Sequence, residues 1–406
     1  MAFWKDTVVN NNLRIKSLIL QGFRSIRTSA LELEPFTFLV GQNGSGKSNV
    51  VDGFRFVADA MQQPLNAVFD ARGGIEAVRY RIPHGGRPAN LGIGVEFRVP
   101  ESQQEGGYAF EVAALPNYGF RVIHERCRLG RPGQKPISFE RTEKEGFKCS
   151  APGLTPRLEP QALALPIAGG VEEFAPVARL LSGIRVYSIE PSAVRDLQEP
   201  DAGTSLRSDG GNAASVLKML SRGDKGVLER VSELLSKIVP CTEAVRPKKH
   251  GKKLTIEFTQ QWAPKKRVSF EAFSMSDGTL RALAILMAVF QEPTPTLIAI
   301  EEPEATIHPG ALGALMDGLQ EAASKTQVLL TTHSPEVLDF KWIRAEDIRV
   351  AVWQNGMTRI GRLPAPSVKA IQDHLMGAGE LTRSDALAPL GLFAEGDISQ
   401  GTLFER

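Results

Sequence analysis

Apolar positions along the chain fall into short runs of two kinds, and the switches between them divide the sequence into elements. Leu13–Leu20 and Leu31–Val40 are continuous enough to form strands, and they flank a turn-like Gly22-Phe23-Arg24-Ser25. The second run leads straight into a glycine-rich loop. Beyond that loop Val50, Val51, Phe54, Val57, Ala58 and Met61 recur at helical spacing, which predicts a helix over Lys47–Met61 with one face packed on a sheet.

From Gly92 to Cys149 the pattern turns β-like. Leu91–Val99, Tyr108–Leu115 and Phe120–Leu129, punctuated by Gly and Pro, read as strands of a β-rich lobe or insertion. Residues 150–180 are rich in Pro, Ala and Gly and read as a connection, followed by a strand at Gly183–Ile189 and a helical stretch at Asn212–Val239 that Pro240 bounds. That stretch is too short and too weak in heptads for a coiled-coil arm. The last third alternates again: helix Leu280–Gln291, strand Thr296–Ile300, helix Gly310–Ala323, strand Gln327–Thr332, then a hairpin around Asn355-Gly356. Alternation of this kind predicts an α/β fold built on a mainly parallel sheet. No internal repeat is visible. After Pro366 come a helical piece, a Gly377-Ala378-Gly379 break and a polar end whose role the pattern does not reveal.

Composition narrows the class. With 406 residues, 42% of them hydrophobic and 23% charged, the chain can bury a sizeable core in one to three domains. A net charge of +2 exerts no global pull on nucleic acid or anionic lipid. The longest apolar run, Ala282–Phe290, is far short of the roughly 20 residues that span a bilayer. The first residues, Met1 to Asp6, carry neither an apolar segment nor a cleavage site, so no membrane association and a cytoplasmic location are expected. Cys127, Cys149 and Cys241 are odd in number and widely spaced, which suggests neither a disulfide framework nor a zinc site.

The chemistry is concentrated in a few segments. Gly41-Gln42-Asn43-Gly44-Ser45-Gly46-Lys47-Ser48 fits G-x-x-x-x-G-K-[ST] and stands between a predicted strand and a predicted helix. Glycines let backbone N–H groups turn inward around phosphate oxygens, and the helix N-terminus adds its positive dipole end. In this reading Lys47 reaches the β- and γ-phosphates and Ser48 ligates Mg²⁺. The buried run Thr296–Ile300 ends in Glu301 and Glu302. At the C-terminal end of a parallel strand such acids lie beside the phosphate loop, and neighbours on a strand point to opposite sides. Glu301 is therefore assigned to the Mg²⁺ shell and Glu302 to the base that orients the attacking water. Standing alone, these acids would read as a solvated turn.

Four elements together resemble the ATP-binding-cassette superfamily, in particular the SMC, RecF and OLD-like branch of the "AAA family" ATPases. They are Leu13-Arg14-Ile15 with Gly22-Phe23-Arg24-Ser25; the phosphate loop; Phe273-Ser274-Met275-Ser276-Asp277-Gly278-Thr279-Leu280; and Glu301-Glu302-Pro303-Glu304 followed by Thr332-His333-Ser334-Pro335. The resemblance covers most of the chain outside residues 100–180. It implies an ABC-ATPase head with a mainly parallel P-loop sheet, an antiparallel β lobe and a helical lobe carrying the signature loop. Residues 1–99 and 181–363 would form the two parts of that head, 100–180 the β lobe and connection, and 364–406 a tail.

The same resemblance implies that Ser276-Asp277-Gly278 is the signature loop, touching the γ-phosphate held by a second copy in an ATP-sandwiched homodimer. A Ser hydroxyl, a glycine amide and a helix dipole suit an anion, although Ser276 taken alone reads as a helix N-cap. His333 would be the switch histidine at the γ-phosphate, Ala305–His308 the loop that crosses the interface, and Arg24 a basic residue near the nucleotide. Asn49, directly after Ser48, belongs to the expected nucleotide set. Two positions depart from the family pattern. Glu301 stands where most members carry Asp, lengthening a metal ligand, and Ser-Asp-Gly-Thr replaces Ser-Gly-Gly-Gln, a form typical of OLD-like and RecF-like members. The family's Q-loop glutamine has no clear counterpart, because Gln62 and Gln63 follow the phosphate loop too soon.

Between Arg246 and Arg267 eight cations (Arg246, Lys248, Lys249, Lys252, Lys253, Lys265, Lys266 and Arg267) face one acid, Glu257, a local balance of +7 at the two ends of a predicted hairpin. Salt-sensitive, sequence-independent binding of duplex DNA and a pair of solvated loops are equal readings of that cluster. The expected function is an ATPase that closes as a dimer and gates a separately encoded effector or DNA, in bacterial defence against phage. The alternative is a RecF-like repair ATPase that acts by binding DNA.

Overall fold

The protein is described here by a computed structural model that covers residues 14–81, 86, 90–117, 119–223, 225–264, 266–384, 386–387 and 403–404. Leu13, the Met1–Asp6 segment and Lys265 of the readings above lie outside these residues.

Sixteen strands form three sheets among the described residues. The first sheet has seven strands in the order β2-β1-β4-β5-β6-β7-β8, all antiparallel. Its strands are β1 (Ile15–Phe23), β2 (Ile26–Glu32), β4 (Asn90–Val99), β5 (Gln104–Ala114), β6 (Phe120–Gly130), β7 (Ile137–Thr142) and β8 (Gly146–Cys149). The second contains β3 (Phe36–Val40), β9 (Ile184–Tyr187), β13 (Leu297–Glu301), β14 (Gln327–Thr332), β15 (Ile348–Gln354) and β16 (Met357–Arg362), in the order β16-β15-β3-β14-β13-β9. All its pairs are parallel except the hairpin β15–β16. The third is a small antiparallel sheet of β10 (Thr242–His250), β11 (Lys253–Ala263) and β12 (Lys266–Glu271).

The parallel sheet is buried on both faces, which explains why its strands are apolar throughout. One face, with Phe36, Phe38, Ile298, Ile300, Val328 and Leu330, packs against helices Asp277–Phe290 and Pro309–Ala322. The other, with Leu39, Leu297, Ala299 and Leu329, meets helix Lys47–Gln62. That helix is sandwiched between the two larger sheets. Phe56 stacks on Phe110 at 6.2 Å and meets Phe23 and Phe69 edge-on at 5.9 and 5.2 Å. Each such ring removed from water contributes on the order of 1.5–3 kcal/mol. Helices Ala213–Leu220 and Lys225–Ile238 join Asp277–Phe290 and the small sheet in a helical lobe.

Several boundaries differ from the sequence reading. The run Leu31–Val40 is two strands, because Pro35 removes a ladder donor and the chain turns at Leu33-Glu34-Pro35, with Thr37 Oγ1 accepting from Glu34 N at 2.9 Å. The polar stretch Arg27-Thr28-Ser29 concealed β2, which pairs back on β1 through a turn with Arg24 at φ 49°. Asn212–Val239 is two helices, broken around Ser221–Gly223. Gly377-Ala378-Gly379 opens a helix, Ala378–Arg383, and a side chain on Gly379 would strike Asp339 and the Pro335 carbonyl. The basic segment is a three-stranded sheet and not a hairpin.

Residue 99 ends β4, which pairs with β5 along its whole length, so the seven-stranded sheet runs across that boundary. In the 150–180 connection the short helix Leu165–Ala168 is held by buried Glu125, whose carboxylate accepts from Ala164 N (2.6 Å), Leu165 N (2.9 Å) and Tyr108 Oη (2.9 Å). The three cysteines are free. No helix among the described residues is long and apolar enough to cross a membrane.

Candidate nucleotide site

Strand register sets the site. Thr332 pairs with Val40, Glu301 with Thr331 and Tyr187 with Ile300, so β3, β14, β13 and β9 end level with one another. The glycine-rich loop leaves β3 at this edge and enters helix Lys47–Gln62 at Gly46. Gly44 and Gly46 have φ of 78° and 95°, a region that penalises any side chain, and nothing lies within 4 Å of where a Cβ on Gly44 would be. The loop is closely backed. A Cβ on Gly41 would strike the Ala351 carbonyl, and one on Gly46 would strike the Thr358 hydroxyl.

Lys47 is 6% exposed and donates to the carbonyls of Gly41 (2.7 Å) and Gln42 (3.1 Å), which folds its ammonium back onto the start of the loop. Burial holds its ammonium below the ordinary lysine value, against the opposing pull of Glu302, Glu304 and Glu301. A desolvated cation at the N-terminus of a helix, under a glycine loop and with Ser48 exposed at the helix start, fits a nucleotide's phosphates and their Mg²⁺. Asn49 donates to Ser25 Oγ at 2.7 Å. A cavity of about 840 Å³ adjoins the loop, lined also by His333, Val350–Trp353, Thr382 and Leu387.

Of the two acids at the end of β13, Glu301 lies 3.7 Å from the Arg55 guanidinium. Glu302 has φ 45°, unusual for a residue with a side chain, and its amide donates to Thr331 O at 3.0 Å. The twist carries its carboxylate to within 3.3 Å of His333 Nδ1. The structure thus brings Lys47, Glu301, Glu302 and His333 to one edge of the sheet. It adds Glu304, whose Oε1 accepts from Thr332 Oγ1 at 2.6 Å and whose other oxygen is buried with no hydrogen-bond partner among the described residues. Burial pushes the Glu304 carboxyl up, and the Thr332 bond offsets this in part.

Ser276 caps helix Asp277–Phe290, accepting from Thr279 N at 3.2 Å. Asp277 is held by Arg195 at 2.5 Å, and Gly278 packs so tightly on Thr306 that a side chain there would strike the Thr306 carbonyl. The signature segment and the loop after the acids are therefore one unit. Arg24 is tied to Asp52 of the phosphate-loop helix at 2.7 Å, and Asp52 also receives Arg72 at 3.1 Å.

Thr358 lay beyond sequence reasoning. Its hydroxyl donates to Ser45 O at 2.9 Å and meets Ser25 Oγ at 2.7 Å, bracing the loop from β16, and no local pattern signals a contact so distant in sequence. Gln62 lies at the far end of its helix, bonded to Ser182 O. Ser188 directly follows β9, whose last residue, Tyr187, pairs with Ile300, and its amide donates to Ser208 O at 2.9 Å.

The basic segment is less positive than its composition. Strand alternation puts Arg246, Lys248, Glu257 and Glu271 on one face, and Lys248 pairs with both acids at 2.9 Å. Arg267 pairs with Glu243 and Lys253 with Glu199. Arg246, Lys249, Lys252 and Lys266 make no ion pair among the described residues.

Comparison with known proteins gives the same fold. The SMC head domain of Pyrococcus furiosus, solved with an extended coiled coil and bound to the C-terminal domain of ScpA, aligns with a TM-score of 0.55 at 12% identity, over 89% of this chain and 99% of that one. An SMC head bound to the C-terminal winged-helix domain of ScpA aligns with a TM-score of 0.52 at 14% identity, over 86% and 96%. The Old nuclease of Escherichia phage P2 is 21% identical over 365 residues, 85% of this chain, which spans 60% of that protein's length. The family described as "AAA domain, putative AbiEii toxin, Type IV TA system" matches residues 36–132 and 184–339, well over half of the sequence and every strand of the parallel sheet up to β14. The chain therefore belongs to that AAA-domain family and has the architecture of an SMC/OLD-like ABC-type ATPase head.

Proposed function

We propose that the chain binds ATP with Mg²⁺ and hydrolyses it, that two copies close around the nucleotide, and that closure gates an effector protein or DNA in defence against phage. The observation that carries this reading is the convergence of buried Lys47, strained Glu302 and His333 at the rim of one phosphate loop. Lys47 and the loop amides would hold the β- and γ-phosphates. Ser48 and Glu301 would hold Mg²⁺, which neutralises charge between phosphate oxygens. Glu302 accepts a proton from the water that attacks the γ-phosphorus as the bond to the ADP oxygen breaks, and His333 Nδ1 keeps its carboxylate oriented. The signature unit of Ser276, Asp277 and Gly278 would meet the γ-phosphate from a second copy.

The test is Glu302→Gln. Turnover should fall by about 10²-fold or more, with ATP binding retained and an ATP-dependent dimer accumulating in light scattering. Lys47→Ala should lose binding and dimer together. Unchanged turnover in Glu302→Gln would overturn the assignment of the base.

Support for effector gating comes from the family description, from the phage nuclease relative and from SMC heads solved with ScpA bound. The effector in this reading is a separately encoded protein, with this chain supplying the ATP-driven closure. Affinity purification of Glu302→Gln from the native host with ATP should retain a stoichiometric nuclease or toxin. The second reading, a RecF-like ATPase acting on DNA, rests on the four cations that make no ion pair among the described residues. It predicts ATP turnover by this chain alone that rises with duplex DNA.

A further inference from the structure

The seven-stranded sheet has an inner face on the core and an outer face whose centre is built from small residues. Register places Ile19, Gly94, Ala109 and Arg126 in one row across β1, β4, β5 and β6, with Gln21, Gly92, Glu111 and His124 in the next. Glycine inside a strand weakens it unless another group must come close. Here one does. A Cβ on Gly92 would collide with Leu403 Cδ1, and one on Gly94 would stand 3.0 Å from Leu403 Cδ2. The next residue, Phe404, stacks flat on His124 with ring centroids 3.7 Å apart and planes 18° apart, and its carbonyl accepts from Arg126 Nη1 at 2.7 Å. His124 is itself held by Glu140 at 2.8 Å. Ile19 and Ala109, on an outer face, are only 5% and 6% exposed.

We propose that the outer face of β4–β6 is a peptide-docking surface for an aliphatic–aromatic pair, and that its occupant is Leu403–Phe404 of this chain. The glycines form a slot for the leucine, the imidazole a platform for the phenyl ring, and the guanidinium reads the backbone. Leu387, by contrast, lines the cavity beside Gly41–Ser45. This inference stands on packing alone and is independent of any role for the nucleotide.

The slot can be filled without disturbing the sheet. Apart from Leu403, the nearest atom to an alanine Cβ at Gly92 would be Phe110 O at 3.4 Å, and at Gly94 Ile19 and Ala109 at 3.5 and 3.6 Å, ordinary van der Waals contacts. The test places Phe404→Trp in the full chain and measures acrylamide quenching of the introduced indole, with the parent chain's four native tryptophans as baseline. The indole should be shielded, and adding Gly92→Ala with Gly94→Ala should abolish the shielding, giving the quenching of a free peptide with the same thermal midpoint. An indole already as quenchable as the peptide before those substitutions would overturn the proposal. So would shielding that survives them.

Discussion

Glu304 shows how a single side chain reports on its surroundings. Its carboxyl is pushed above the ordinary value by burial, so the native state binds this proton more tightly than the unfolded chain does. Stability contributed by the protonated form is present below the ordinary value of 4.5 and is lost as pH rises through the raised one. Glu304→Gln removes that titration. Its stability relative to the parent, measured by denaturant unfolding across pH, should therefore improve as pH climbs through this window and then level off. A difference that stays constant with pH would contradict the burial argument. Gly41 makes the corresponding steric case. Its missing side chain leaves room for the Ala351 carbonyl and for Ser45 Oγ, 2.6 Å from the virtual Cβ, and β15 cannot retreat because it is paired to β3. Gly41→Ala should cost about 1–3 kcal/mol in urea unfolding.

At the scale of elements, the helix Asp277–Phe290 carries two readings of one serine. As a cap, Ser276 accepts from Thr279 N, and its removal in Ser276→Ala should cost about 1 kcal/mol. As a phosphate contact it must also stay neutral. Aspartate caps a helix as well as serine does but repels phosphate. Ser276→Asp should therefore keep the parent's thermal midpoint and lose ATP-driven dimerisation in light scattering; a variant that still dimerises would leave Ser276 a cap alone. The strand–loop–helix around Gly41–Ser48 was legible in advance because apolar period, glycine spacing and the lysine all lie within one local segment. The β1–β2 hairpin was not. β2 presents a polar stretch, Arg27-Thr28-Ser29, and is a strand because β1 supplies its ladder.

For the whole molecule, charge is where composition and structure part. The +7 of Arg246–Arg267 counted Glu257 alone, whereas folding brings in Glu199, Glu243 and Glu271 from outside that window. If duplex DNA binds here, Lys249→Ala or Lys252→Ala should each lower the slope of log affinity against log salt by about 1. Lys248→Ala should change it far less, since that ammonium already serves two carboxylates. Equal effects at all three positions in salt-dependent binding assays would show that the ion pairs do not govern the surface.

What the sequence by itself determined is the set of features whose cause is local. These are the phosphate loop and its helix, the apolar strands of the parallel sheet, the acids at a strand end and the serine before a helix, together with the resemblance those motifs carry. Tertiary structure alone decided how they meet. The level ends of β3, β13 and β14 set Glu302 against His333, Thr358 reaches back to brace Ser45, and Arg267 finds Glu243. Leu403 finds a slot between two glycines of β4 in the same way. The physical reason is range. Propensity and periodicity act over a few residues along the chain, whereas register, burial and charge pairing depend on which distant segments the collapse of the core brings side by side.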